Sequence, residues 1–389
     1  MAESPGATVA GRTADPSSVQ RWLRLGLALV LAALGLDVLH REDWRFAVDF
    51  HTYFASALVG IHHGWSHLYD QAAIALEQKD LVPELWAQPY LSPPPVAWLA
   101  APLTALPFWL AFTVWAVSMF AALSLAFAWA SRGSGLRRWI GVVGALSPFW
   151  VMHAVRVGQV APLVAAALVV AWLLLREKRD VAAGLVLVAI ALKPNTGLLV
   201  PVVLLVSGRQ RAFVAWLAGS AFVLVLVALT VGPYGMSAYA NQLLGPSPAT
   251  AELLTLQGAL GATGPVAFVS RALIVGGVLL SAYRLRGSPN LIVPIAVLGS
   301  LLIAPYLHLA DLCLLSAAGF MIWEERPSVA WRAPLAACWV LASPFLYEFG
   351  LALQLNRWPW LEFALLLALL VAGWWPLTAG AESRRRAPA

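Results

Sequence analysis

Asp49 and Tyr53 stand four residues apart in Asp49-Phe-His-Thr-Tyr53, so on a helix they share a face. A carboxylate beside a phenol suits general-base work. A charged acceptor in a partly dry site takes the proton of a hydroxyl, and its surroundings tune its pKa. A solvated aspartate at a membrane surface fits the same spacing. The pair lies in the most titratable stretch of the chain: eight of the nineteen acidic residues and five of the seven histidines fall between Asp37 and Glu84. His63 and His67 have the i, i+4 spacing of a helical zinc site. Gly60 and Gly64 flank them, however, and no Glu follows His63. Polar histidines at an interface are the simpler reading, and no metal is expected.

Other candidates lie far away in sequence. Lys193, one of three lysines, interrupts an apolar stretch of 26 residues, 181–206. A cation at membrane depth is a functional hypothesis by default, with a lipid phosphate as its natural partner; snorkelling to the surface is the alternative. Arg156 lies beside Gly158-Gln159. His308 and Asp311, three residues apart at a junction of two apolar runs, are expected to touch, either as a structural pair or with the imidazole free for a phosphate or an acceptor hydroxyl. Tyr90-Leu-Ser-Pro93-Pro94-Pro95 is expected to be extended, because a residue before proline avoids the helical region. Tyr239, Asn241, Gln242 and Gln257 form an uncharged hydrogen-bonding set in a loop at 233–263, suited to sugar hydroxyls.

The elements that carry these residues are apolar. The 389 residues are 61% hydrophobic and 11% charged, against about a quarter charged in a soluble domain, so lipid is the expected solvent. At about twenty residues per crossing, candidate spans are 22–39, 108–130, 139–155, 159–175, 212–232, 264–283, 290–306, 308–323, 333–350 and 358–378. Residues 95–107 are short and broken by proline, and 181–206 break at Lys193-Pro194-Asn195 into two short helices meeting at a polar apex. Such breaks survive at membrane depth where they line an enclosed or wet cavity. The reading is an all-α polytopic membrane protein with 11–13 membrane segments and an interfacial amphipathic helix around Asp49.

Trp22, Trp44, Trp98, Trp139, Trp172, Trp358 and Trp374 sit at ends of apolar runs, as an aromatic belt would. The first twenty residues read as a disordered cytoplasmic tail, 21–378 as one transmembrane domain and 379–389 as a basic cytoplasmic tail. Arginine clusters between spans orient the chain with its N-terminus inside and explain the net charge of +6 without a nucleic-acid partner. Residues 40–94 then form an outer loop. If the Arg132–Arg138 cluster is inside, an odd number of crossings fits between 95 and 130; either 95–107 is re-entrant or that cluster breaks the rule. On this topology the Gly158-Gln159 junction, the Lys193 apex, 233–263, Tyr306–His308 and Gln354–Arg357 join the loop on one side. Cys313 and Cys338, both in apolar runs, read as inert small hydrophobes.

The order of these motifs resembles a known family. It runs Asp49-Phe-x-x-Tyr53, Leu68-Tyr69-Asp70, Tyr90-x-Ser-Pro-Pro, Gly158-Gln159, Ala191-Leu-Lys193-Pro194, Asn241-Gln-x-x-Gly245 and Pro305-x-x-His308. Together, over roughly residues 30–325, these resemble glycosyltransferase family 87, the polyprenyl-phosphate-mannose-dependent α-mannosyltransferases of the GT-C superfamily. Val160 stands where the family often has Asn, and Leu309 follows His308 where the family has a His pair.

The resemblance implies a GT-C fold and an inverting hexosyltransferase at the outer face of a bacterial inner membrane. Asp49 would be the catalytic base. Tyr53, Tyr90, Gln159, Lys193, Asn241 and His308 would bind substrate, and Arg156, read from its place beside Gly158-Gln159 as an outer-face cation, is expected to join them. The partners would be a polyprenyl-phosphate sugar donor, with mannose as the default sugar, a glycolipid or glycan acceptor, and the bilayer. A lipid-phosphate leaving group needs no nucleotide or metal, so no cofactor is expected. A transporter or flippase of lipid-linked sugars would share the spans and the buried lysine without needing the carboxylate. A ligase or polymerase of the O-antigen type would use a pyrophosphate donor and call for more outer arginines.

Overall fold

A computed structural model describes residues 46–85, 87–245, 255, 264–286, 289–328, 332 and 335, and among these the regular structure is helical throughout. The first loop folds into α1 (Val48–His63), a 3-10 turn at Trp65–His67, α2 (Gln71–Leu81) and α3 (Pro94–Ala100) with a 3-10 turn at Ala101–Ala105. Then come α4 (Phe108–Ala130), α5 (Gly135–Leu146), α6 (Phe149–Arg156) and α7 (Ala161–Arg176). The broken segment follows as α8 (Asp180–Val186), 3-10 turns at Leu187–Leu192 and Pro194–Thr196, and α9 (Leu199–Val206). The last described elements are α10 (Gln210–Leu244), α11 (Gly264–Arg284), α12 (Pro289–Ile303), a 3-10 turn at Leu309–Leu312 and α13 (Cys313–Glu324).

The all-α membrane class is as expected: α4, α10 and α11 are long and apolar enough to cross a bilayer. The break at Lys193 is also present, with the chain leaving the helical region at φ −151°. Residues 94–105 form two short helical pieces totalling twelve residues, well under the about twenty a crossing needs. Between 95 and 130 only α4 has the length to cross.

Several expectations change. The Asp49 helix does not lie on a surface with one polar face. From Phe50 to Ala57 every residue of α1 is buried, and exposure begins only near its C-terminal end at Ile61. Phe50 meets Phe54, Phe108, Phe112 and Trp115 at ring distances of 5.3–5.9 Å, so the first loop is packed into the helix bundle. The tyrosine–proline stretch is extended only to Pro93. Pro94 and Pro95 open α3, where a missing amide costs nothing because a helix's first amides have no partner anyway.

The span expected at 139–155 breaks at Pro148 into α5 and α6, and that at 308–323 begins as a 3-10 turn. The loop expected from 233 is helical to Leu244, because Gly232 takes φ 66° and lets Pro233 start a new helical stretch inside α10. Trp172 is no belt residue; it is fully buried and donates to the Asn290 carbonyl at 2.8 Å. The candidate spans 22–39 and 358–378, nearly all of 333–350, Cys338, Gln257, Gln354–Arg357 and both tails lie outside the described residues.

From α4 onward the elements run between the same two ends. Phe108, Gln159, Lys193, Ile303 and Cys313 lie toward the first loop. Ser131, Trp172, Asp180, Asn290 and Glu324 lie at the other end, joined by contacts such as Ser131 to Glu324 and Asn290 to Glu325.

Candidate active site

Helix ends leave amides and carbonyls unpaired, and the site is built where two such ends meet. The amides of Ala47, Asp49 and Phe50, at the start of α1, donate to the carbonyls of Arg156 and Val157, at the end of α6, at 2.9–3.2 Å. The next residue, Gly158, turns the chain at φ 75°, and a Cβ there would lie 2.5 Å from the Phe50 Cβ. Only glycine admits both the conformation and the approach. Its carbonyl accepts from the Trp115 indole at 2.8 Å. The turn delivers Gln159 to the face of α1.

There Gln159, itself buried, donates its amide to Asp49 Oδ2 at 3.0 Å. Its carbonyl oxygen accepts from the Tyr53 hydroxyl and from the Val160 amide. Asp49 and Tyr53 thus share a face, as their spacing predicts, and meet through Gln159. No ion pair consumes the Asp49 carboxylate among the described residues, and it is half-buried. Burial pushes its pKa above the usual 3.8, against the pull of the nearby Lys193 and His308.

Lys193 is not a free cation. Its Nζ lies 2.6 Å from Asp311 Oδ1, and both residues are buried. Asp311 Oδ2 accepts the His308 backbone amide at 2.9 Å. His308 and Asp311 therefore touch, but through the backbone; the imidazole is left exposed, edge-on to Tyr306 at 5.9 Å. The reason is depth. A buried carboxylate is far costlier without a counter-charge than with one, and the Lys193 ammonium reaches it first. Asp311 consequently ties the apex of the broken segment to the turn that carries His308, a role that spacing alone did not reveal.

Arg156 lies over the Phe46 ring at 4.1 Å, with its Nε unpartnered. Its neighbour one turn back, His153, was not singled out from the sequence, and it lies within electrostatic reach of both Arg156 and His308. The available signal was compositional: His153 and His308 are the two histidines outside the first-loop cluster. That cluster contributes little here. His51 bonds the Gln78 carbonyl at 2.8 Å, His62 meets Glu77 at the surface, and among the described residues no group of histidines and acids could hold a metal.

Tyr90 is fully buried, with its hydroxyl engaged by the Pro93 carbonyl and the Ala97 amide. It buttresses Tyr53 edge-on at 6.3 Å and presents no free face. Tyr69 stacks between Tyr90 and Tyr239, at 5.4 and 4.7 Å. Tyr239 thereby joins the distal part of α10 to the first loop. Asn241 is exposed on α10 and is not brought to Asp49 by any described contact. Asp70 caps α2, accepting the Ala72 and Ala73 amides.

The arrangement offers a half-buried carboxylate held by Gln159, within electrostatic reach of His308 and of a lysine already paired with Asp311, in a helical membrane protein. A family model, Glycosyltransferase family 87, matches residues 90–344. No curated protein and no solved structure matches the chain. The matched stretch holds Tyr90, Arg156, Gln159, Lys193, Asn241 and His308, whereas Asp49 and Tyr53 precede it. It covers more than half of the 389 residues, and on that ground, together with the membrane helices, the chain belongs to glycosyltransferase family 87 and is a membrane glycosyltransferase.

Proposed function

We propose that the protein transfers a hexose, with mannose the first sugar to try, from a polyprenyl-phosphate carrier to a glycolipid or glycan hydroxyl at the outer face of a bacterial inner membrane. The observation that carries the reading is the state of Asp49: one oxygen is held by Gln159, no cation among the described residues pairs with it, and burial raises its proton affinity.

In this reading Asp49 takes the proton of the acceptor hydroxyl. The acceptor oxygen bonds to the anomeric carbon while the carbon–oxygen bond to the carrier phosphate breaks, and the phosphate leaves with the electron pair. Attack opposite the leaving group inverts the anomeric centre. Gln159 and Tyr53 hold the carboxylate in place. Arg156 and the exposed His308 face the charge developing on the phosphate, where fixed charges count most. Lys193, already paired with Asp311, acts by holding the His308 turn and through its field. Tyr90 supports Tyr53, and Asn241 is assigned to the acceptor side. With α4 as the single crossing between 95 and 130, the Arg132–Arg138 cluster falls inside and the first loop outside, which favours the outer placement.

The test is purified full-length enzyme with labelled polyprenyl-phosphate mannose and a panel of glycolipid acceptors. Transfer that disappears in Asp49→Asn, with donor still bound, is expected. Transfer that persists in that variant, or no transfer to any acceptor from intact donor, overturns the reading.

A further inference from the structure

α11 is a 21-residue apolar helix of membrane-crossing length, and its eighth residue is Arg271. At about 1.5 Å per residue, Arg271 lies about 10 Å inside one end of the helix and about 20 Å from Arg284 at the other. Arg284 precedes by six residues Asn290, which bonds Glu325, so the nearer end of α11 is the Asp49 end. Arginine at that depth is costly and marks a function by default.

Arg271 shares a face with Ala267, Ile274 and Val278, three of the buried residues of α11. Its Nε is buried and has no hydrogen-bond partner. The helices packed against α11, α9 and α12, carry no acidic residue. The acids elsewhere in the bundle have partners of their own: half-buried Asp49 accepts from Gln159, Asp311 pairs with Lys193, half-buried Asp180 with Arg209, half-buried Glu325 with Arg132 and Asn290, and Glu324 accepts from Ser131 and the Arg132 amide. Among the described residues Arg271 has no counter-charge. The adjacent positions Phe268, Val269 and Leu273 are strongly exposed and apolar, so the helix meets hydrocarbon on that side. An anion that reaches Arg271 laterally must itself be attached to a hydrocarbon.

We propose that Arg271 is a binding site for the phosphate of a membrane lipid, additional to the Asp49 site. A guanidinium grips phosphate through paired N–H donors, and a helical side chain leans toward its helix's N-terminus, here toward the level of the headgroups. The site stands on the membrane placement of α11; only its assignment to the donor's carrier rests on the function proposed above. α11 packs on α9, which follows directly from the Lys193 apex, and α9 is tied to α12 by the Leu199 amide donating to Ser300 at 3.0 Å. A carrier phosphate at Arg271 would stand on the wall that leads to the catalytic cations.

The test is native mass spectrometry of the full chain equilibrated in micelles with C55 polyprenyl phosphate, phosphatidylglycerol or, as a phosphate-free control, diacylglycerol. Arg271→Gln is expected to retain at least about fivefold less of one lipid phosphate than wild type, with Arg271→Lys in between, because lysine keeps the charge but not the paired donors. Diacylglycerol retention stays unchanged. If the polyprenyl phosphate is lost and donor KM rises with kcat kept, the site serves the carrier. If only phosphatidylglycerol is lost and donor KM is unmoved, it serves bulk lipid; both outcomes uphold a lipid-phosphate site. Equal retention of both phospholipids by wild type and Arg271→Gln overturns it.

Should Arg271→Gln fail to fold, a photoreactive lipid phosphate on the wild-type protein decides. Labelling within 264–284 is expected, and its absence there defeats the proposal. An Asp49→Asn protein should retain lipid as wild type does, so the site is testable even if the transferase reading fails.

Discussion

The two ends of the bundle treat their carboxylates in opposite ways. At the end away from the first loop, Glu324 is buried and spends both oxygens on the turn after α4. It accepts the Ser131 hydroxyl at 3.2 Å and the Arg132 amide at 2.7 Å. Glu325 beside it takes Arg132 and Asn290, and Trp172 closes the knot under the Arg176 guanidinium. At the other end Asp49 accepts one hydrogen bond, from Gln159, and no described cation neutralises it. One carboxylate is a fully occupied helix clamp, and the other keeps capacity for a proton. A buried charge is a strut when its lone pairs are filled by the chain and a reagent when some are left for a substrate. Lys193 and Asp311 mix the two, because they form a strut built within reach of the reagent.

Exchanging the charge at each end separates these roles most strongly. Asp49→Asn is expected to lower kcat by about 10²–10⁴, the usual contribution of a general base, with little change in melting temperature. Glu324→Gln is expected to keep kcat within about tenfold while losing about 1–3 kcal/mol of stability, the cost of a misfilled buried site. Parallel transfer assays and thermal melts of the two variants make the comparison, and matching profiles would dissolve the distinction.

The same contrast has a pH signature. Asp49 must be ionised to act, and burial raises its pKa above 3.8. The rise of kcat/KM with pH is therefore expected to have its midpoint above that of an ordinary carboxylate, and activity should fall as pH drops through it. A profile flat down to the ordinary carboxylate range would remove Asp49 from the base role.

Next in size is the mixed case. Lys193→Met leaves Asp311 buried and unpaired, at a cost of about 3–5 kcal/mol. The double variant Lys193→Met with Asp311→Leu should recover most of that stability without recovering transfer. Recovery of both would make the pair a strut alone. Gly158→Ala tests the joint that brings Gln159 to α1. Strain at positive φ and overlap with Phe50 are expected to cost about 2–3 kcal/mol, read as a lowered melting temperature with transfer impaired. The smallest effect is expected of Tyr53→Phe, which removes one hydrogen bond to Gln159. A bond of this kind is worth about 1 kcal/mol, so a loss of several-fold in kcat with donor KM unchanged is predicted. A larger rise in KM than loss in kcat would move Tyr53 from holding the carboxylate to binding the donor.

Much of this is legible in the sequence. A chain 61% hydrophobic and 11% charged has to be solvated by lipid, and hydrocarbon leaves the backbone little choice but helix. The i, i+4 spacing of Asp49 and Tyr53, the glycine before Gln159 and the break at Lys193-Pro194 are local facts, and local geometry honours them. The histidines around 51–67 read as polar groups at an interface rather than as a metal site; His51 is spent on the loop's own folding, and His62, His63 and His67 lie at its surface.

What only the tertiary structure decided is who partners whom. Charge pairing depends on distances across sequence separations of more than a hundred residues, as between Asp49 and Gln159 or Lys193 and Asp311. No periodicity encodes these. Asp311 three residues from His308 looks like an imidazole's partner, yet the buried lysine claims it, since desolvation makes that pairing the stronger need. Likewise Tyr90 carries a motif-like position and turns out to be a sealed buttress, while Arg271, unmarked in any motif, is left without a counter-charge among the described residues at membrane depth. Composition determined the solvent and the helices; the order of filling among buried charges, set by which counter-charge arrives within reach, determined the site.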